Sequence, residues 1–189
     1  MKKLVLPFAL VASLSVWADL KIGTVDMMSL VRNHPNYDVN KNLLQTTEKD
    51  YQARVNAMKE ELDKIQEEGT KLSKEYQNPM LAQTAKTKLE KDISSIQNRY
   101  LAQQRKMRDE VMHNQQELSD LEARLLKSQA DDIKKHIENF AKKNDYDMVI
   151  DKAAAVYARE NMDVTMGVLK EMGVSEAKVA ERKAQDEGK

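Results

Sequence analysis

The chain of 189 residues has no cysteine, three prolines and five glycines, and only 5% of it is aromatic. Without cysteine there is no disulfide framework, no thiolate nucleophile and no cysteine-bound metal. No glycine-rich phosphate loop and no serine elbow is present. Few aromatics together with 33% charged residues make a solvated helical composition, not that of a large compact core. A formal charge of +0 argues against bulk nucleic-acid binding. The three histidines, His34, His113 and His136, are far apart in sequence. Asp132 and His136 lie one helical turn apart, which makes half a metal site at most and is met as readily by an ordinary i,i+4 pair. No catalytic residue, cofactor or metal is expected.

The scarcity of helix breakers is itself organised. Between Asp38 and Gln77 there is no proline and one glycine, Gly69, and from Met80 to Met166 there is neither. Residues 38–143, broken only at Asn78-Pro79, therefore predict two long helices meeting near Pro79. On the first, Tyr51, Val55, Met58, Leu62, Ile65, Gly69, Leu72 and Tyr76 alternate in steps of four and three, a coiled-coil seam. On the second, Leu89, Ile93, Ile96, Tyr100, Met107, Val111, Leu118, Leu121, Leu125, Ile133, Ile137 and Phe140 continue the stripe, with an irregular step at Met107–Val111 and with Gln103 and Asn114 on or near it. Glu60, Glu61, Asp63, Glu67 and Glu68 oppose the basic run that includes Lys91, Arg99, Arg105, Lys106 and Arg108, which favours an antiparallel hairpin. A glycine at seam position 69 predicts a hinge at mid-arm.

The ends of the chain read differently. Residues 1–18 have the form of a signal peptide: Lys2-Lys3, an apolar core from Leu4 to Val16, and Val16-Trp17-Ala18 as a cleavage box. The core is shorter than the ~20 residues that span a bilayer, which favours cleavage over retention as an anchor. Export without cysteine fits the bacterial periplasm. Residues 19–26 read as a strand, with Asp26 capping a helical turn over 27–31. Residues 147–151 and 155–158 read as two further strands. Asp163 is placed to cap a last helix, 164–172, closed by Gly173, and 174–189 read as a frayed helix or a disordered polar tail. The fold class is α+β, mostly α: a small β body from 19–37 and 144–173, with the hairpin inserted between its strands. Its apolar residues (Ile22, Val25, Val149, Ile150, Val156, Tyr157) are too few to stand alone, so the body is expected to be completed by trimerisation.

Methionine is flexible and polarisable and suits surfaces that accept many partners. Met58, Met107 and Met112 on the arms, and Met80-Leu81 at the tip, are the candidate contacts for such partners. Lys21-Ile-Gly-Thr-Val-Asp-Met27 after a signal peptide, and Tyr146-Asp-Met-Val-Ile-Asp151 followed by Ala155-Val-Tyr157, resemble the Skp/OmpH family of periplasmic chaperones. That resemblance implies a homotrimer with three hairpin tentacles around a cavity, holding unfolded outer-membrane proteins soluble without ATP. The well-known members are strongly basic, whereas residues 38–143 here carry 20 basic and 19 acidic side chains. The alternative is a structural or adaptor coiled coil of the cell envelope, for which a tighter stripe would be expected. The basic run 99–108 has pairing with the other arm as its first expected use and contact with anionic lipid or lipopolysaccharide as its second.

Overall fold

The computed structural model describes residues 20–187; the signal-peptide segment, 1–18, lies outside the described residues. The chain opens with strand β1 (Ile22–Val25) and helix α1 (Met27–Asn33), then enters two long helices, α2 (Tyr37–Tyr76) and α3 (Gln83–Lys143). Strand β2 (Met148–Asp151) follows, then two single 3-10 turns, helix α4 (Thr165–Glu171) and helix α5 (Glu176–Glu187). The architecture is α+β and mostly α, with the helical hairpin inserted between the strands.

The 40 residues of α2 rise about 60 Å and the 61 of α3 about 90 Å. The tip between them is a turn built on Asn78-Pro79. Asn78 Oδ1 accepts from the Met80 N–H at 3.0 Å and the Asn78 carbonyl from Leu81 at 3.2 Å. Proline presets the second position of that turn and has no N–H to leave unpaired. The extra length of α3 runs past the base of α2 into the body, where its last turns become part of the core.

β1 and β2 pair in parallel, Ile22 opposite Met148 through Val25 opposite Asp151. Parallel strands cannot be joined by a tight turn, and here the crossover is the whole hairpin. The body core gathers Val25, Leu30, Ile133, Val164, Val168, Leu169, Met172, Val174 and Val179, with Ile137, Phe140, Tyr146 and Val149 packed against it. Leu30, Ile133, Val168 and Leu169 are fully buried. Two backbone positions carry this packing. A Cβ on Gly167 would stand 2.4 Å from Phe140 Cε2, and one on Gly23 would stand 3.1 Å from the Tyr146 ring and 3.2 Å from Val164 Cγ2. Glycine at both lets α4 approach the Phe140 ring at the end of α3, and β1 the Tyr146 ring just after it.

The helix ends follow local rules. Asp26 Oδ1 accepts from the Ser29 N–H at 2.9 Å and caps α1. Gly173, at φ +77°, closes α4 with its own N–H on the Lys170 carbonyl and that of Val174 on Leu169. Asp145 takes the left-handed position after α3 (φ 55°), and the Tyr146 N–H returns to the Ala141 carbonyl at 3.0 Å. Asp163 binds both the backbone N–H and the hydroxyl of Thr165, and also pairs with Lys152.

One expectation is corrected: residues 155–158 are not a strand. Asp151 Oδ1 accepts from the Ala153 N–H at 3.1 Å and turns the chain into a 3-10 turn at Lys152–Ala154, away from the sheet. The neighbour of β1 on its other side is Asp163, bridged to Thr24. Of the two readings of 174–189, the helical one holds among the described residues: Glu176–Glu187 is helical, and it is docked, since Val179 is buried.

Gly167→Ala should destabilise the body by about 1–3 kcal/mol, because the Phe140 ring, stacked on Tyr146 and packed against the core, cannot yield its position freely; thermal unfolding checks this. Burial pushes the Asp163 carboxyl up, but the Lys152 ion pair and the Thr165 hydrogen bonds outweigh it and hold the group below its ordinary value. The stability it contributes is therefore full above its unfolded value, near pH 4, and lost as pH falls through the lower folded value. Asp163→Ala should cost about 1 kcal/mol at neutral pH, with the deficit shrinking in unfolding curves taken at progressively more acid pH.

Candidate functional site

The hairpin is the largest exposed surface of the molecule, and its character follows from how its seam is filled. Every position of the α2 stripe from Tyr51 to Tyr76 is at least half-buried against α3. Leu62, Ile65, Leu89 and Ile96 are buried, forming an apolar stretch in the outer half of the arms. Below it the seam turns polar: Gln103, Asn114 and Gln129 occupy buried positions of α3. Gln103 Nε2 donates to Glu61 at 2.7 Å, Asn114 Oδ1 accepts from Arg54 at 3.0 Å, and Gln129 Nε2 donates to the Val31 carbonyl at 2.6 Å. Tyr51 donates to Glu117 and Tyr76 to Glu90, both at 2.8 Å, and these contacts raise each phenol above its ordinary value. Together the contacts hold one antiparallel register.

The expected acid–base matching between the arms is represented by Glu68–Arg99 at 3.1 Å, with both side chains about half exposed. Arg54 on α2 pairs in the opposite sense, with Glu110 on α3 at 3.4 Å. Exposed pairs of this kind contribute ~0–1 kcal/mol each, so they select register without holding the arms together. Within the basic run 99–108, Arg99 is engaged by Glu68, Arg105 donates to the Leu101 carbonyl, and Arg108 lies 3.9 Å from Asp109 of its own helix.

Gly69 sits within an unbroken α2, where a Cβ would stand 3.1 Å from Ile96 Cγ2. Beside it the seam opens into a groove of about 800 Å³ lined by Ile65, Gly69, Ser73, Ile93, Ile96, Tyr100 and Leu101. The candidate contact residues divide. Met80, at the tip, is 89% exposed and Met112 is 63% exposed. Leu81 is half-buried in the turn, and Met58 and Met107 are half-buried on the seam, facing the opposite arm. Leu101 and Leu126 are half exposed on α3 and were not singled out by sequence. With ~3.6 residues per turn, positions 101, 112 and 126 fall within roughly 40° of one another, on one flank of the helix. Each leucine directly follows a seam residue, Tyr100 or Leu125, so a search for a single stripe absorbs it into that stripe.

In the body, Val25 lies in the chain's own core, and Ile22, Val149 and Ile150 are half-buried. Val156 and Tyr157 are exposed, as are Leu20, Met28 and Met148. At the neck, Asp132 Oδ2 lies 3.0 Å from His34 Nε2 and 3.7 Å from His136 Nε2. The Asn36 N–H donates to His34 Nδ1 at 3.1 Å, so the ring proton sits on Nε2 and is given to Asp132. The cluster ties the loop before α2 to α3. Among the described residues no group of three or more His, Cys, Asp or Glu is arranged to hold a metal ion, and no helix is long and apolar enough to cross a membrane.

The family described as outer membrane protein (OmpH-like) matches residues 21–172, from the start of the body through the hairpin and back to α4. The chain belongs to that family. Membership supports a periplasmic chaperone-type role in general terms, in a family of chaperones and not of enzymes. No match was found among curated proteins.

The polar seam yields a direct test. Asn114 Nδ2 is buried without a partner, a loss of about 1–3 kcal/mol. Asn114→Leu should therefore stabilise the hairpin, with Arg54 retaining Glu110, and raise the midpoint of helix unfolding followed by circular dichroism.

Proposed function

We propose that this protein is an ATP-independent holdase of the periplasm, a homotrimer that binds unfolded outer-membrane proteins between its hairpins and keeps them from aggregating. The observation that carries this reading is the surface of the arms. Isolated apolar side chains, Met80, Leu101, Met112 and Leu126, stand on a solvated face of nearly balanced charge. Contacts of that kind are weak, non-directional and tolerant of sequence. They suit a chain with no fixed shape better than one folded partner. Met58, Met107 and Leu81 join them when the arms part, and the groove beside Gly69, a seam position with no side chain, is the point at which the arms bend to fit the client.

The trimer rests on the body. A two-stranded sheet with exposed Val156, Tyr157, Leu20, Met28 and Met148 around it leaves apolar surface for further copies to cover. Ile22, Val149 and Ile150 lie at the margin of that surface, and Val25 supports it from within.

Charge has a small part. With 20 basic and 19 acidic side chains along residues 38–143, little long-range field is left to steer a client, and what remains is screened within about 8 Å at physiological salt. Light scattering of unfolded porin diluted from denaturant should fall in the presence of the protein, by nearly the same amount at low and physiological salt. A Leu101/Met112/Leu126→Ser variant should lose most of that effect while remaining trimeric by multi-angle light scattering. Suppression that collapses with salt and is indifferent to the triple variant would place the holding in charge. Failure to suppress aggregation, with tight binding to one folded envelope protein, would favour an adaptor.

A further inference from the structure

Helix α5 lies outside the family match, yet it is docked. Val179 is buried in the body core beside Val174, Leu30 and Val168. One turn on, Arg182 reaches back across the chain to pair with Asp38 and lies over the Tyr37 ring, 5.1 Å from its centroid. These two residues are the first turn of α2. The Arg182 side chain is only 15% exposed, and its Nη1 is buried without a partner. The charge is therefore committed to Asp38 as its one ion pair among the described residues, and removing that partner would leave a desolvated cation.

The base of the first arm has need of such a contact. The second arm is fixed in the body by Ile133, Ile137 and Phe140. The first enters through the turn at His34–Asn36, and its N-cap, Asn36, makes no side-chain cap bond. His34 holds the turn through Asp132, but it precedes the helix. Beside its neighbour α1, α2 itself is gripped from beyond the hairpin by Arg182, on Asp38 and Tyr37. Asp38 also stands at the positive end of the α2 dipole, so the pair is set where a carboxylate is already favoured.

We propose that α5 is a strap that fixes the angle at which the first arm leaves the body, with Val179 as its anchor and Arg182 as its clasp. Its chemistry is an ion pair backed by an aromatic face, tied through a short helix to the core. The inference does not depend on what the arms bind.

Because the chain has no cysteine, Lys49→Cys and Ala153→Cys place two spin labels cleanly, one on the first arm and one on the body. Labelled full-length chain is diluted with unlabelled chain so that intrachain distances are read by pulsed electron resonance. The strap predicts a single narrow distance in the parent, and a broadened, displaced distribution in Arg182→Gln. The pair Arg182→Asp with Asp38→Arg should recover part of the narrowing. A Val179→Ser/Arg182→Gln variant, checked for an intact body by circular dichroism, should broaden it further. An Arg182→Gln distribution that overlays the parent would overturn the proposal, whatever the double variant shows.

Discussion

The last turns of α3 are the joint on which the molecule depends. Ile133 is fully buried, and Phe140 lies where glycine at position 167 lets α4 come against its ring. Remove that joint and the hairpin has no base, while β1 and β2 have no surface to lie on. The contacts that close the body span the chain, as in the Lys21 N–H to Asp147 hydrogen bond across 126 residues. Closing so long a loop costs entropy that grows only with the logarithm of its length. Two continuous helices between the strands also keep most of that length from being loose when the body forms. A parallel pair with such a crossover is stable because the crossover is itself structured.

Beyond the joint, packing thins. The body buries nine apolar side chains in one cluster, whereas each arm contributes only pairs, Leu62 and Ile65 from one and Leu89 and Ile96 from the other. Between these pairs and the neck the buried seam positions are Gln103, Asn114 and Gln129, each hydrogen-bonded across to α2 or α1, with apolar neighbours such as Met58 and Met107 only half-buried. Polar layers of this kind fix register at a cost in stability. The arms are therefore specified more strongly than they are stabilised. That combination suits a limb that must keep its shape at rest and yield locally under load.

Much of this was legible in the sequence, and the parts that were not have physical reasons. The heptad steps from Tyr51 to Tyr76, the break at Pro79, the cap at Asp26 and the stop at Gly173 are local signals, and each appears where local rules put it. The strand at 155–158 failed because an upstream side chain, Asp151, spends its carboxylate on the Ala153 N–H and turns the chain off the sheet edge; β-branched and aromatic residues cannot report that. The docking of helix α5 escaped because its docking face is one valine and one arginine, too sparse to make a stripe. The direction of β2 and the partnership of His34 with Asp132 depend on tertiary placement alone. On the candidate surface, Met80 and Met112 are exposed as their positions suggest, while Met58 and Met107 face the other arm. Leu101 and Leu126 were hidden by their seam neighbours.

Stability resides in the body and declines along the arms. Native-state hydrogen exchange, resolved by residue, measures it directly, because local opening free energies range from near zero up to the global value. Exchange should be slowest in β1, β2, α4 and residues 129–143, faster through the arms, and fastest near the Asn78-Pro79 turn. Arms that exchange as slowly as the body, opening only with global unfolding, would contradict it.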